Sequence, residues 1–238
     1  MNVKKFSFYE QVGIVIPGAL FLFGIMFYLP ELRDIFAKDG VSVGGLGIFV
    51  IISYAIGHLL AALGNVIENL YWGLKRGMPS NWIVGPNPRL LSTSQITKVE
   101  ALTETRLGLN APPFTELTAK TWSPIFRQIY SDVEKYGKPD RGNTFNGNYG
   151  LNRGLCAATL AIAAAIFIQS PSSQWGVSLA LVVVSFIYLF RMHRFGVHYA
   201  REIYNQFLLL PSEPGKSKKS NKSKTSKDKA TDSPPTKI

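Results

Sequence analysis

The sequence predicts an all-α integral membrane protein: four transmembrane helices, a small mainly helical cytoplasmic domain between helices 2 and 3, and a last helix extended as a cytoplasmic stalk. Three observations predict it. Charged residues are only 17% of the 238, against about 25% in a soluble domain. The charge present is strongly basic, 26 Lys and Arg against 15 Asp and Glu, a formal +11. Uncharged windows long enough to cross a bilayer recur along the chain.

The first window, QVGIVIPGALFLFGIMFYLP, holds twenty residues between Glu10 and Glu31, the length a helix needs to cross the hydrocarbon. Lys4 and Lys5 ahead of it would suit a signal peptide. The run is long for an h-region and no A-x-A-like site follows, so it reads as a span. Ser7 and Glu10 have capping-box spacing and start this helix near Phe6. Pro17 and Gly18 at its centre mark a hinge or a fixed bend.

Residues 40–67 form a second uncharged run of twenty-eight. Residues 154–190 form one of thirty-seven, which as a single helix would reach about 55 Å. The polar stretch QSPSSQ at 169–174 divides it into a third span, 149–168, and a fourth, 175–191. Lys and Arg number two before span 1, two in 31–39, ten in 72–150, none in 169–174 and eleven in 191–238. The positive-inside rule then places both termini and the central region in the cytoplasm.

The domains expected are 1–71 (helices 1 and 2), 72–148 (cytoplasmic), 149–210 (helices 3 and 4 with the extension) and 211–238, a Lys- and Ser-rich disordered tail. In the central region Ser92 and Gln95 form a capping box ahead of Ile96, Val99 and Leu102, and Gly108 closes that helix. A second helix is expected to be capped by Ser123, with Pro124 at its first position, a stripe from Ile125 to Tyr136, and Gly137 as its stop. Stretches 85–88, 111–113 and 137–150, rich in Pro and Gly, read as connections. So short a region buries little on its own and is expected to pack on helix ends or on another subunit. After span 4, Phe195, Tyr199, Ile203 and Phe207 recur every four residues and continue one helix to about residue 210.

One Cys and three His exclude a disulfide framework and leave too few ligands for a metal cluster. No P-loop or other catalytic motif is present, so no enzyme, cofactor or metal is expected. The chemistry-bearing residues gather in span 2. His58, Asn65 and Asn69 share one helical face, and Gly57, Ala61, Gly64 and Glu68 lie on the neighbouring one. Gly57, Ala61 and Gly64 make a ridge for close helix approach. The polar residues fit interhelical hydrogen bonding, the lining of a conduit, or a catalytic role, the last without a partner His or nucleophile.

Basic residues of the central region alternate with aromatics. Lys120, Trp122, Arg127, Lys135, Lys138 and Arg141 are candidates for an anion-tracking, base-stacking surface that takes a nucleotide or oligonucleotide; a solvated face over a small core is the alternative.

The YAIGH piece at 54–58, ALGN at 62–65 and RMHRFGVHYAREIY at 191–204, with the four-span topology, resemble the small membrane effectors of Hailong and Kiwa-type anti-phage defence systems. The resemblance implies a homo-oligomer that permeabilises the inner membrane when a cytoplasmic signal, often a nucleotide or oligonucleotide, changes. The expected function is an oligomeric channel or pore-forming effector. The alternative is a membrane scaffold that recruits a soluble partner protein.

Overall fold

The computed structural model describes residues 8–29, 31, 32, 34, 43–109 and 112–212. Helix α1 is Phe8–Met26, α2 Val43–Leu74, α3 Thr93–Leu107, α4 Ala119–Tyr136, α5 Asp140–Gln169 and α6 Trp175–Leu208, with a 3₁₀ turn at Pro79–Asn81. No strand occurs among the described residues. Helices α2, α5 and α6 are each long and apolar enough to cross a membrane. The apolar stretch of α1, Val12–Met26, is shorter. Ser7 and residues 213–238 lie outside the described part of the chain.

Helices α1, α2 and α5 pack together, and α6 lies along α5. Small residues set these distances. A Cβ added to Gly18 would stand 1.8 Å from the Ser53 carbonyl oxygen, and one on Gly57 2.1 Å from that of Ile14. The backbones of α1 and α2 therefore touch with no side chain between them. Pro17 removes the N–H that would meet the Gly13 carbonyl. Gly154 of α5 fills that notch, since a Cβ there would lie 2.6 Å from Pro17 Cγ and 3.3 Å from Gly13 O. Leu60, Ala157 and Ala158 are the buried centre of this cluster.

The 137–150 stretch corrects the sequence reading: it is helix from Asp140 onward, and α5 runs thirty residues. Its polar side chains bond back into the helix. Thr144 donates to the Asp140 carbonyl at 2.9 Å, Asn148 to Thr144 at 2.9 Å and Asn152 to Asn148 at 2.7 Å. Gly142 gives room to Ile203 Cδ1, 3.1 Å from where its Cβ would be. Here glycine serves close packing against α6 and does not end the helix.

The α6 extension runs unbroken as expected, yet it is no bare stalk. Ala200, Ile203, Tyr204, Phe207 and Leu210 are buried in one core with Ile83, Val99, Trp122, Ile129 and Val133. Helices α3 and α4 and the 3₁₀ turn wrap this end of α6, which supplies apolar surface that the 72–148 segment lacks alone. Arg106 of α3 pairs with Asp132 of α4 at 2.7 Å and donates to the Pro211 carbonyl, tying α3, α4 and the chain end together.

Helix α3 begins as expected, with both capping-box bonds of Ser92 and Gln95 made and Gly108 left-handed at φ 65°. Helix α4 does not begin at Ser123. Its cap is Thr118, boxed with Thr121, and Pro124 sits inside the helix. The extra residues swing Trp122 onto the buried face, where its indole donates to the Ser80 carbonyl at 2.9 Å. That burial outweighs the one helical hydrogen bond lost at Pro124.

Candidate functional site

The two neighbouring faces of α2 have different surroundings. Gly57, Gly64 and Glu68 are buried against α1 and α5, and Ala61 is half-buried. His58, Asn65 and Asn69 are exposed, on a side that no helix among the described residues covers. The contact recorded for His58 is with the ring of Tyr54, one turn earlier, at 4.6 Å between centroids. Around these polar groups the surface is apolar: Leu59, Leu63, Val66 and Leu70 are all exposed.

Glu68 takes a separate place. Its carboxylate pairs with Arg153 of α5 in a charge-assisted bond. The Arg153 stem also packs on Gly64, 3.0 Å from where a Cβ would be. The pair lines a cleft of about 540 Å³ among α1, α2, α4 and α5, together with Tyr149, Asn143, Asn146 and Glu134. The Tyr149 hydroxyl accepts the Trp72 indole N–H at 2.8 Å. One turn further along, Arg191 donates to Asn152 at 3.2 Å. This polar layer crosses the bundle where the uncharged runs of α2 and α5 end.

Arg153, Tyr149 and Asn152 were not among the sequence-predicted site residues. A signal was present: Glu68 follows one uncharged run directly and Arg153 precedes another. Opposite charges at the same edge of two adjacent spans are a pairing hypothesis.

Pro17 and Gly18, expected as a hinge or bend, are both buried, clamped between Gly154 on one side and Ser53 on the other. Among the basic candidates Trp122 is a correction. It is fully buried, holds Ser80 O and the Tyr204 hydroxyl (3.1 Å), and offers no face on which a base could stack. Lys120, Arg127, Lys135, Lys138 and Arg141 are exposed. Lys120 and Arg127, seven residues apart, share the solvent face of α4. Lys135 lies over the Tyr136 ring and Arg141 over Phe145, 3.8 Å from Glu202. The positions form a cationic surface from which Trp122 is withdrawn and on which Tyr136 is the exposed ring.

Compared with known protein families, curated proteins and solved structures, the chain matches none. Among the described residues no three His, Cys, Asp or Glu side chains gather as a metal ion would require. What the site can do therefore follows from its own groups. Glu68 and Arg153 neutralise each other inside the bundle; His58, Asn65 and Asn69 present hydrogen-bonding groups outward from a helix of membrane-crossing length.

Proposed function

We propose that the chain is a four-span bacterial inner-membrane protein with cytoplasmic termini that assembles as a homo-oligomeric channel, with His58, Asn65 and Asn69 lining the conduit. The observation that carries this reading is the exposure of those three side chains on a side of α2 that no described helix covers. Hydrocarbon offers them no hydrogen-bond partner, so in a bilayer they face another subunit or water. The Gly-mediated contacts of α1 with α2 and α5 support a path between copies rather than through one chain. Control by an anionic cytoplasmic ligand would act through Lys120, Arg127, Lys135, Lys138 and Arg141 without Trp122. A role as a defence effector follows from the resemblance alone.

Reconstitution in liposomes tests the channel. The wild-type oligomer is expected to conduct, and Asn65→Leu to reduce conductance about tenfold or more at an unchanged size-exclusion profile, because a wetted polar ring becomes an apolar constriction. An intact oligomer that never conducts overturns the reading in favour of the scaffold. Altered assembly with Asn65→Leu would assign the stripe to subunit contacts instead.

The topology has its own test. A Cys at Ser172, in the exposed α5–α6 turn, is expected to react with an impermeant reagent from outside the cell, and a Cys at Ser131 only after permeabilisation; native Cys156 is buried. The reverse pattern places the α3–α4 surface outside and ends its role as a cytoplasmic sensor.

A further inference from the structure

The end of α2 carries a second feature that the conduit does not use. Lys75, the loop residue Arg89 and His193 of α6 converge from three parts of the chain. Lys75 Nζ stands 5.9 Å from the Tyr71 ring centroid, and the Tyr71 hydroxyl is hydrogen-bonded to His193 Nδ1 at 3.0 Å. The Arg89 guanidinium stacks 3.7 Å over Trp82, whose ring is 5.9 Å from His193. Arg89 also donates to the Lys75 carbonyl at 2.8 Å, which holds its guanidinium against the end of α2. Among the described residues neither Lys75 nor Arg89 forms an ion pair with a carboxylate.

The surroundings select the ligand. Trp72, Trp82 and Tyr71 collect beside His193, as aromatic residues do at a membrane–water boundary. The helix ridge next to Tyr71 and Lys75 is Leu70 and Leu74, 68% and 78% exposed. Two uncompensated cations therefore lie directly beyond an apolar surface open to the outside of the bundle. A soluble phosphate would satisfy the cations and leave the leucines bare. An amphiphile satisfies both.

We propose that Lys75, Arg89 and His193 form a binding site for the phosphodiester of an anionic phospholipid, whose acyl chains run along Leu70 and Leu74. The two cations give charge-assisted bonds to the phosphate oxygens, and His193, with Nδ1 engaged by Tyr71, offers Nε2. The site does not rest on the conduit and would serve a channel or a scaffold equally.

The test uses the full chain in a neutral detergent, with lipid binding followed by native mass spectrometry. Phosphatidylglycerol is expected to bind several-fold more tightly than phosphatidylcholine, and Lys75→Gln with Arg89→Gln to weaken it roughly tenfold or more. Lys98→Gln with Arg201→Gln, equally cationic, exposed and outside the aromatic cluster, leaves it unchanged. Because Arg89 also holds the loop, Lys75→Gln alone, at an exposed side chain, is measured as well and weakens binding several-fold at an unaltered size-exclusion profile. Unchanged affinity in both Lys75 variants overturns the site. Equal binding of the two lipids overturns the selection for anionic lipid, and equally tight binding of glycerol phosphate, which has no chains, overturns the lipid as occupant.

Discussion

Glu68→Gln destabilises the protein by about 3 kcal/mol, because Arg153 then stays inside the bundle as a charge without its counter-ion. The side chains of the pair are 11% and 23% exposed, so each charge has lost most of its water and relies on the other. Arg153→Met, which strands Glu68, has a similar effect. The double variant Glu68→Gln, Arg153→Met recovers most of the loss, since no unpaired charge is then left inside the bundle. Thermal unfolding of the four proteins in one detergent measures the coupling. Additive losses in the double variant would show that Glu68 and Arg153 act independently and that the polar layer is not held by their pairing.

Gly57→Ala has an effect of the same size for a different reason. Its Cβ would lie 2.1 Å from the Ile14 carbonyl oxygen and 2.8 Å from the carbonyl carbon. Backbone cannot rotate away as a side chain can, so α1 and α2 must separate along their crossing, at a cost of about 3 kcal/mol. Gly18→Ala meets the Ser53 carbonyl from the opposite side and acts alike. Gly73→Ala, on the same α2 but with nothing within 4 Å, is expected to stabilise by about 0.5–1 kcal/mol through helix propensity alone. Unfolding midpoints that fail to separate Gly57 from Gly73 would refute the close crossing.

Local and compositional features were legible without coordinates. Uncharged runs located the long apolar helices, since a hydrocarbon core and a helix interior both reject charge. QSPSSQ ended one helix and started the next as read. Ser92, Gln95 and Gly108 capped α3 as read, because a capping box and a left-handed glycine are satisfied within a few residues. The continuation of α6 past Arg191 followed from a four-residue apolar period. Two local signals misled. Ser123 before Pro124 resembles a helix start, but Thr118 and Thr121 form a reciprocal box one turn earlier, and only the longer helix buries Trp122. The Gly-rich 137–150 stretch resembles a connection because glycine weakens an isolated helix by up to about 1 kcal/mol per residue; packing against α6 reverses that preference.

The sequence by itself determined the class of the protein: all-helical, with helices of membrane-crossing length. It also determined which residues could carry polar function in α2, because their types and their 100° spacing are sequence properties. Tertiary structure alone decided how they divide. Glu68 turns inward to Arg153, eighty-five positions away, while His58, Asn65 and Asn69 remain outside. It also withdrew Trp122 from the surface and brought Lys75, Arg89 and His193 together. The physical reason is the same in each case. Helical periodicity assigns a residue to a face, but what that face meets depends on a neighbouring helix, and the distance at which the helices settle depends on glycines whose partners lie far along the chain.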